Sequence, residues 1–190
     1  MIHSFGAVIK VWCLCCISLL LFSECTGGGA GSLATNNTKS DTSAKIIPYS
    51  LGAVVNTGHT SPAALITFAR SLTGTPYLYA SSDPVKGFDC SGFITYVFNH
   101  FNIAVPRSSV DFTSVGTEVP QVNAKPGDLI LFTGTNSSIR TVGHMGIIVS
   151  TNKDNVAFIH STSGKAYGVT ESNLYPNYLP RLVKIIRIFR

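Results

Sequence analysis

Two segments of helical period precede four strand-like runs in this chain, and that order narrows the fold more than any other feature. Ser61 ahead of Pro62 supplies an N-cap and a first-turn proline, and Ala64, Leu65, Phe68, Ala69 and Leu72 give one apolar helical face ending at Gly74. Phe93, Ile94, Val97, Phe98 and Phe101 repeat the pattern and predict a second helix over about 90–101. Ser108 with Asp111 three residues on resembles a capping box for a short helix. The strand-like runs follow: DLILF (128–132), HMGIIVS (144–150), VAFIHST (156–162) and RLVKIIRIF (181–189), separated by turn residues. Helices first and antiparallel strands after define an α+β fold. A 190-residue chain with 45% hydrophobic and 12% charged residues suits one such domain, expected over 58–190.

The N-terminus has a different character. VWCLCCISLLLF (11–22) is an uncharged apolar run behind Lys10, shorter than the roughly 20 residues a membrane span needs, and it matches the core of a signal peptide over 1–24. Cys25 stands where a bacterial lipoprotein is cut and acylated, and 25–57 would be a flexible tether and N-terminal extension, Gly/Ser/Thr/Asn-rich over 26–43. Glu24 departs from the small residue usual before that cysteine, so an ordinary secreted chain and an uncut anchor are the alternatives. Cys13 and Cys16 form a C-x-x-C, but inside an export segment they read as small hydrophobes. The net charge of +5 suits anionic surroundings such as a phospholipid surface or a polyanionic wall. Its basic residues form no stripe, which argues against nucleic acid as a partner.

With 1–24 removed and Cys25 acylated, Cys90 in GFDCSG has no disulfide partner, and an unpaired thiol in an oxidising compartment is either buried or used. Cys90 opens the second helix, where the macrodipole favours thiolate; with an imidazole beside it, the pKa is expected to fall from about 8.5 to roughly 3.5–7.5. His59 lies in the entry loop, and His100 lies about 15 Å along the helix from Cys90, so both read as surface or capping residues. His144 and His160 flank the turn composition TNKDN (151–155). Pairing Ser150 with Asp154 leaves a three-residue loop and places His144 directly opposite His160, with Cβ atoms about 4.5–5.5 Å apart. A one-residue slip would put the two rings on opposite faces. One thiol and two imidazoles fit three readings: a nucleophile with its base and orienting group, a zinc site, or histidines that merely fill a sheet face. Against zinc, no acidic fourth ligand sits at motif spacing and H-x-x-x-H is absent.

The stretch GTPYLYASSDPVKGFDCSGFITYVFNHFNIAVPRSS, followed by PGDLILF, GHMGIIV, FIHSTS and GV at 168–169, resembles the NlpC family of papain-like bacterial cell-wall cysteine peptidases over roughly residues 60–190. The resemblance implies a papain-like single domain with N-terminal helices packed on an antiparallel sheet. It also implies hydrolysis of peptidoglycan stem peptides between D-glutamate and the following diamino acid. Cys90 is then the nucleophile, His144 the base and His160 the orienting residue. Tyr77 would help hold the oxyanion, Asp89 would pair with the amine of an N-terminal L-alanine, and Arg107 and Ser108 would line the cleft. Asp89 as a helix cap and Tyr77 as core packing are the structural alternatives, and Asp128 reads as turn structure. Ala80 and Ser81 stand where relatives often carry two glycines, which leaves less room for backbone to approach substrate. With the N-terminal segment, the resemblance further implies no metal or cofactor, an exported monomer of the cell envelope, periplasmic and held to a membrane by lipid at Cys25, and peptidoglycan as partner. A muramoyl-L-alanine amidase, a thiol acyltransferase of the same fold and an inactive wall-binding lipoprotein are the alternatives.

Overall fold

The N-cap expected at Ser61 forms: in the computed structural model, which describes residues 54–190 except Asp154, its hydroxyl accepts the Ala64 N–H and Pro62 opens α1 (Pro62–Ser71). The expected signal segment, Cys25 and the tether as far as residue 53 lie outside the described residues. α1 buries Leu65, Ile66 and Ala69. A two-stranded ribbon of β1 (Ser82–Asp83) and β2 (Gly87–Phe88) then leads into α2 (Cys90–His100), which buries Phe93, Ile94, Val97 and Phe98. Asp89 caps α2 by accepting the Gly92 N–H at 2.6 Å.

Gly92 is fixed by a close approach. A Cβ there would lie 2.0 Å from the Ser81 carbonyl oxygen, which itself accepts the Asp89 N–H at 3.0 Å. Alanine favours a helix over glycine by about 1 kcal/mol, but this clash is with backbone and cannot be relieved by a rotamer. Gly92→Ala is therefore expected to lower stability by about 3 kcal/mol, read from denaturant midpoints; equal or higher stability would contradict the contact. Ala80, one residue before Ser81, holds φ +58°, the left-handed region that glycine enters freely and alanine enters at a cost of roughly 1–2 kcal/mol. The departure from two glycines is thus absorbed as local strain in the loop.

Six antiparallel strands make the sheet, in the order β3 (Thr117–Val119), β8 (Leu182–Arg187), β4 (Leu129–Thr133), β5 (Val142–Thr151), β6 (Val156–Thr162) and β7 (Gly168–Asn173). Strand alternation sends Leu129, Leu131, Met145, Ile147 and Ile159 to the face covered by the helices, while Ile130, Phe132, Ile148, Phe158 and Ile185 build a second core on the other face. Asp128, expected to be turn structure, accepts the Lys125 N–H and is also buried in a two-pronged pair with Arg187 at 2.7 and 2.9 Å. The expected capping box at Ser108 does not form; the 3-10 turn Asp111–Ser114 follows Val110 without a side-chain cap, and Ser108 is left to line a cleft.

The β5–β6 register differs from the expectation. Thr151 pairs with Val156 and Ser150 with Ala157, and a bulge between Ile148 and Ser150 then brings Ile148 opposite Phe158 and Ile147 opposite Ile159. His144 is therefore not directly opposite His160. The two are diagonal neighbours on one face, because the net shift is an even number of residues.

Candidate active site

The site is assembled where the helix and sheet meet. Asp89 occupies the first N–H groups of α2, with its carboxylate on Gly92 and its carbonyl on Phe93, so the N–H groups of Cys90 and Ser91 remain turned toward the Cys90 sulfur. Pairing of β5 with β6 stops at Ile147 opposite Ile159, which leaves the 143–145 backbone for the sulfur. The Cys90 thiol donates a long hydrogen bond to the Gly143 carbonyl at 3.9 Å, and the Met145 N–H points at the same sulfur. Cys90 thus rests against the backbone on both sides of His144.

His144 Nε2 and His160 Nδ1 are 2.7 Å apart, and His160 Nε2 lies 3.0 Å from the Ser172 hydroxyl on β7. This line admits a tautomer order that leaves His144 Nδ1 free to accept a proton. If His144 Nδ1 keeps a lone pair for the thiol proton, Nε2–H donates to His160 Nδ1, and His160 Nε2–H donates to Ser172. Both rings are then neutral, as burial demands: His160 is fully buried and His144 is 9% exposed. Burial pulls His144 well below the ordinary imidazole value, with His160 and the Arg181 guanidinium acting in the same direction. Burial, then Arg181, lowers His160 to about 3. The ring of Tyr178 stands edge-on to His160 at 5.4 Å and stacks on His144 at 6.3 Å, while Phe132 and Phe158 close the remaining sides.

The expected fall in the thiol pKa is not what the site produces. Burial pushes the Cys90 thiol up, and the Asp89 carboxylate adds to the rise, against the opposing N–H groups of Ser91, Met145 and Cys90 itself. These directions favour a neutral thiol and neutral imidazoles in the free site over a formed ion pair. Zinc does not suit these donors. Two nitrogens bound to one tetrahedral zinc at 2.0–2.1 Å would sit about 3.3 Å apart, whereas these two share a hydrogen bond at 2.7 Å.

A cleft of about 470 Å³ opens over Cys90, lined by Tyr77, Tyr79, Asp89, Arg107, Ser108 and Gly143 among others. Tyr77 is half-buried, and burial followed by the nearby Cys90 and Asp89 raises its phenol, which keeps it a hydrogen-bond donor. Its N–H donates to the Tyr167 carbonyl at 3.0 Å, tying the loop to the start of β7. Asp89 serves as cap and as ion-pair partner together: Arg107 Nη1 and Nη2 donate to it at 3.0 and 2.6 Å, and Arg107 also reaches the Ser91 hydroxyl at 3.0 Å. Any substrate amine at Asp89 has to share the carboxylate with Arg107. His59 is exposed, and exposed His100 stacks on Phe68 with ring centroids 3.6 Å apart, so neither enters the site.

Ser172, Tyr178, Arg181 and the Gly143 and Met145 backbone were not among the sequence candidates. Ser172 was within reach of strand logic, since Thr170 pairs with His160 and Ser172 lies two residues further on the same face. Tyr178 and Arg181 come from the 174–181 loop and its 3-10 turn, which carry no motif.

A thiol at a helix N-terminus, packed on an antiparallel sheet that carries a histidine pair, defines an α+β domain of papain-like architecture. The profile of the NlpC/P60 family matches residues 74–187, and the chain belongs to that family. Similar proteins include the gamma-DL-glutamyl hydrolase of Bacillus subtilis, 32% identical over 66% of this chain and 29% of the relative. Another is the probable endopeptidase NlpC of Escherichia coli, 35% identical over 55% of this chain and 63% of the relative. Among solved structures, an NlpC/P60 family protein from Bacillus cereus superposes with a TM-score of 0.62 at 25% identity, over 70% of this chain and 42% of that one. The chain thus spans less than two thirds of each of these relatives.

Proposed function

We propose that this chain is a cysteine peptidase that hydrolyses peptidoglycan stem peptides at the γ-D-glutamyl–diamino acid bond. The observation that carries the reading is the Cys90 sulfur seated against the backbone flanking His144, with His144, His160 and Ser172 in one hydrogen-bonded line. The similarity to a gamma-DL-glutamyl hydrolase and to a probable endopeptidase supports a γ-glutamyl linkage and the reaction class.

The reaction starts from the neutral pair. As the Cys90 sulfur attacks the γ-glutamyl carbonyl, its proton passes to His144 Nδ1 and a tetrahedral oxyanion forms. The Cys90 N–H and the Tyr77 hydroxyl donate to that oxyanion. His144 then returns the proton to the leaving amine as the C–N bond breaks, leaving a thioester on Cys90. A water molecule, deprotonated by His144, attacks the thioester; the C–S bond breaks, the acid is released, and His144 returns the proton to the Cys90 sulfur. His160 keeps the ring of His144 aligned and accepts its Nε2–H throughout. Losing one oxyanion donor typically costs about 10²–10³ in turnover, so Tyr77→Phe is expected to lower kcat by that factor with little change in KM. An unchanged kcat would remove Tyr77 from the oxyanion site.

Export and a lipid anchor at Cys25 belong to the same reading, supported by the apolar run 11–22 and the polar stretch after Cys25. Metabolic labelling with a radioactive fatty acid tests the anchor; an unlabelled, secreted chain would remove it. Incubation with L-Ala-γ-D-Glu-diaminopimelate and with intact sacculi, followed by mass spectrometry, tests the bond. The reading expects L-Ala-D-Glu from the soluble peptide, whereas release of whole stem peptides from sacculi would mark an amidase instead.

A further inference from the structure

Arg181 is a cation that the mechanism above does not use. Its Nη2 donates to the Thr133 carbonyl at 3.0 Å, its Nε is buried without a partner, and it forms no salt bridge among the described residues. A guanidinium so placed usually pairs with a carboxylate. Here it lies 5.5 Å from the centre of the Tyr178 ring, the ring that packs on both His144 and His160. The contact is a cation–aromatic one, which leaves the positive charge uncompensated one ring away from both imidazoles.

The other charged and titratable groups around the pair do not cancel it. From α2 and its cap come Cys90 and Asp89, with Asp89 held by Arg107; from the loop before β1 comes Tyr77. On β7, Glu171 is taken by Arg70 at 2.7 Å. From β4 the neighbour is Phe132, and β6 contributes only His160 and Phe158. Arg140, from the loop before β5, donates to the carbonyls of Pro180 and Leu182 on either side of Arg181 and brings no negative charge there.

We propose that Arg181 is a positioning residue that acts electrostatically on the histidine pair, its guanidinium, without a carboxylate partner and behind Tyr178, adding to burial in disfavouring the protonated forms of His144 and His160. This rests on His144 being the base. A fixed cation nearby disfavours the imidazolium, so His144 stays ready to receive the thiol proton below the pH at which an ordinary histidine would already be charged. The same field makes His144 release the proton readily to the leaving amine once the tetrahedral intermediate has formed. The lowering of both imidazoles is in the direction this requires.

The test compares the full-length protein in detergent with Arg181→Met, Arg181→Gln and Arg181→Lys. Two quantities are read: the acid limb of kcat/KM on L-Ala-γ-D-Glu-diaminopimelate, and the histidine titrations by NMR with labelled imidazole. In the Met and Gln variants the acid limb and the titrations of both buried imidazoles are expected to move up by roughly half a pH unit or more, while Lys, which keeps the charge, stays close to wild type. Two neutral variants guard against one that fails to fold. Unmoved limbs and titrations in the neutral variants, whatever their rate, would overturn the proposal, as would a Lys variant that shifts as far as Met. The NMR titration needs no turnover, so it stays informative even if His144→Ala proves active and the base assignment falls on its own.

Discussion

Cys90→Ala is expected to lower hydrolysis of a stem peptide by at least about 10⁴-fold while leaving the protein folded and close to wild type in stability. On the proposed mechanism the loss is large because Cys90 is the nucleophile, the one group in the site that no neighbour can replace. Ser91 is the nearest hydroxyl in sequence, but it accepts from Arg107 and donates to Asp89. The stability cost is small because the residue is only half-buried and its thiol donates a single long hydrogen bond, to the Gly143 carbonyl. Alanine is also the best helix former for the first turn of α2. A thermal melt beside a single-turnover assay checks both halves. Retained hydrolysis in the alanine variant would end the cysteine-peptidase reading, and a collapsed melt would show that Cys90 holds the fold as well.

The second large effect is a loss of stability in acid. An unfolded imidazole binds its proton near pH 6.5, whereas native His160 does so only near about 3 and native His144 is shifted in the same direction. Between those values the unfolded chain holds more protons than the native one, so stability falls as the pH drops from about 6.5 toward 3. Each imidazole contributes a slope of at most about 1.4 kcal/mol per pH unit, several kcal/mol across the window for the pair. Removing one of the two titrating rings should remove its share. His160→Asn is expected to be less stable than wild type at neutral pH, because a buried ring and the partner of His144 Nε2 are gone. Its unfolding free energy from urea melts should nevertheless fall more gently with acid, by about 1 kcal/mol per pH unit. An unchanged slope would mean that His160 titrates normally in the folded protein, and the neutral-pair mechanism would lose its basis.

Much of this arrangement was legible in the sequence, for reasons that are local. The run 156–162 is β6 residue for residue, and the helix expected over about 90–101 is α2, Cys90–His100. The turn composition puts the histidine pair on one face, and the structure keeps them there with a different register. Near the turn the pairing is displaced by an odd number of residues, Ser150 meeting Ala157 rather than Asp154, which alone would have separated the rings. The bulge before Ser150 adds one residue to β5 and restores the parity. No residue type in IIVST announces that bulge; it is decided by how β5 packs between β4 and β6.

What the sequence hid depends on tertiary burial. The helix dipole at Cys90 favours thiolate and is visible in the residues, but the desolvation that opposes it exists only once the sheet closes over the sulfur. Asp89 likewise had two readings, cap and ligand. The fold uses it as the cap and saturates it with Arg107, a residue 18 positions away. Tyr178 and Arg181 reach the histidines from a loop whose course no periodicity predicts.

The most direct measurement is active-site labelling with a diazomethyl ketone built on L-Ala-γ-D-Glu, followed by peptide mapping. A nucleophilic sulfur next to a base should take up one label per chain on Cys90, in step with the loss of hydrolysis. Loss of activity with the label on another residue, or full labelling of Cys90 with hydrolysis intact, would contradict the account.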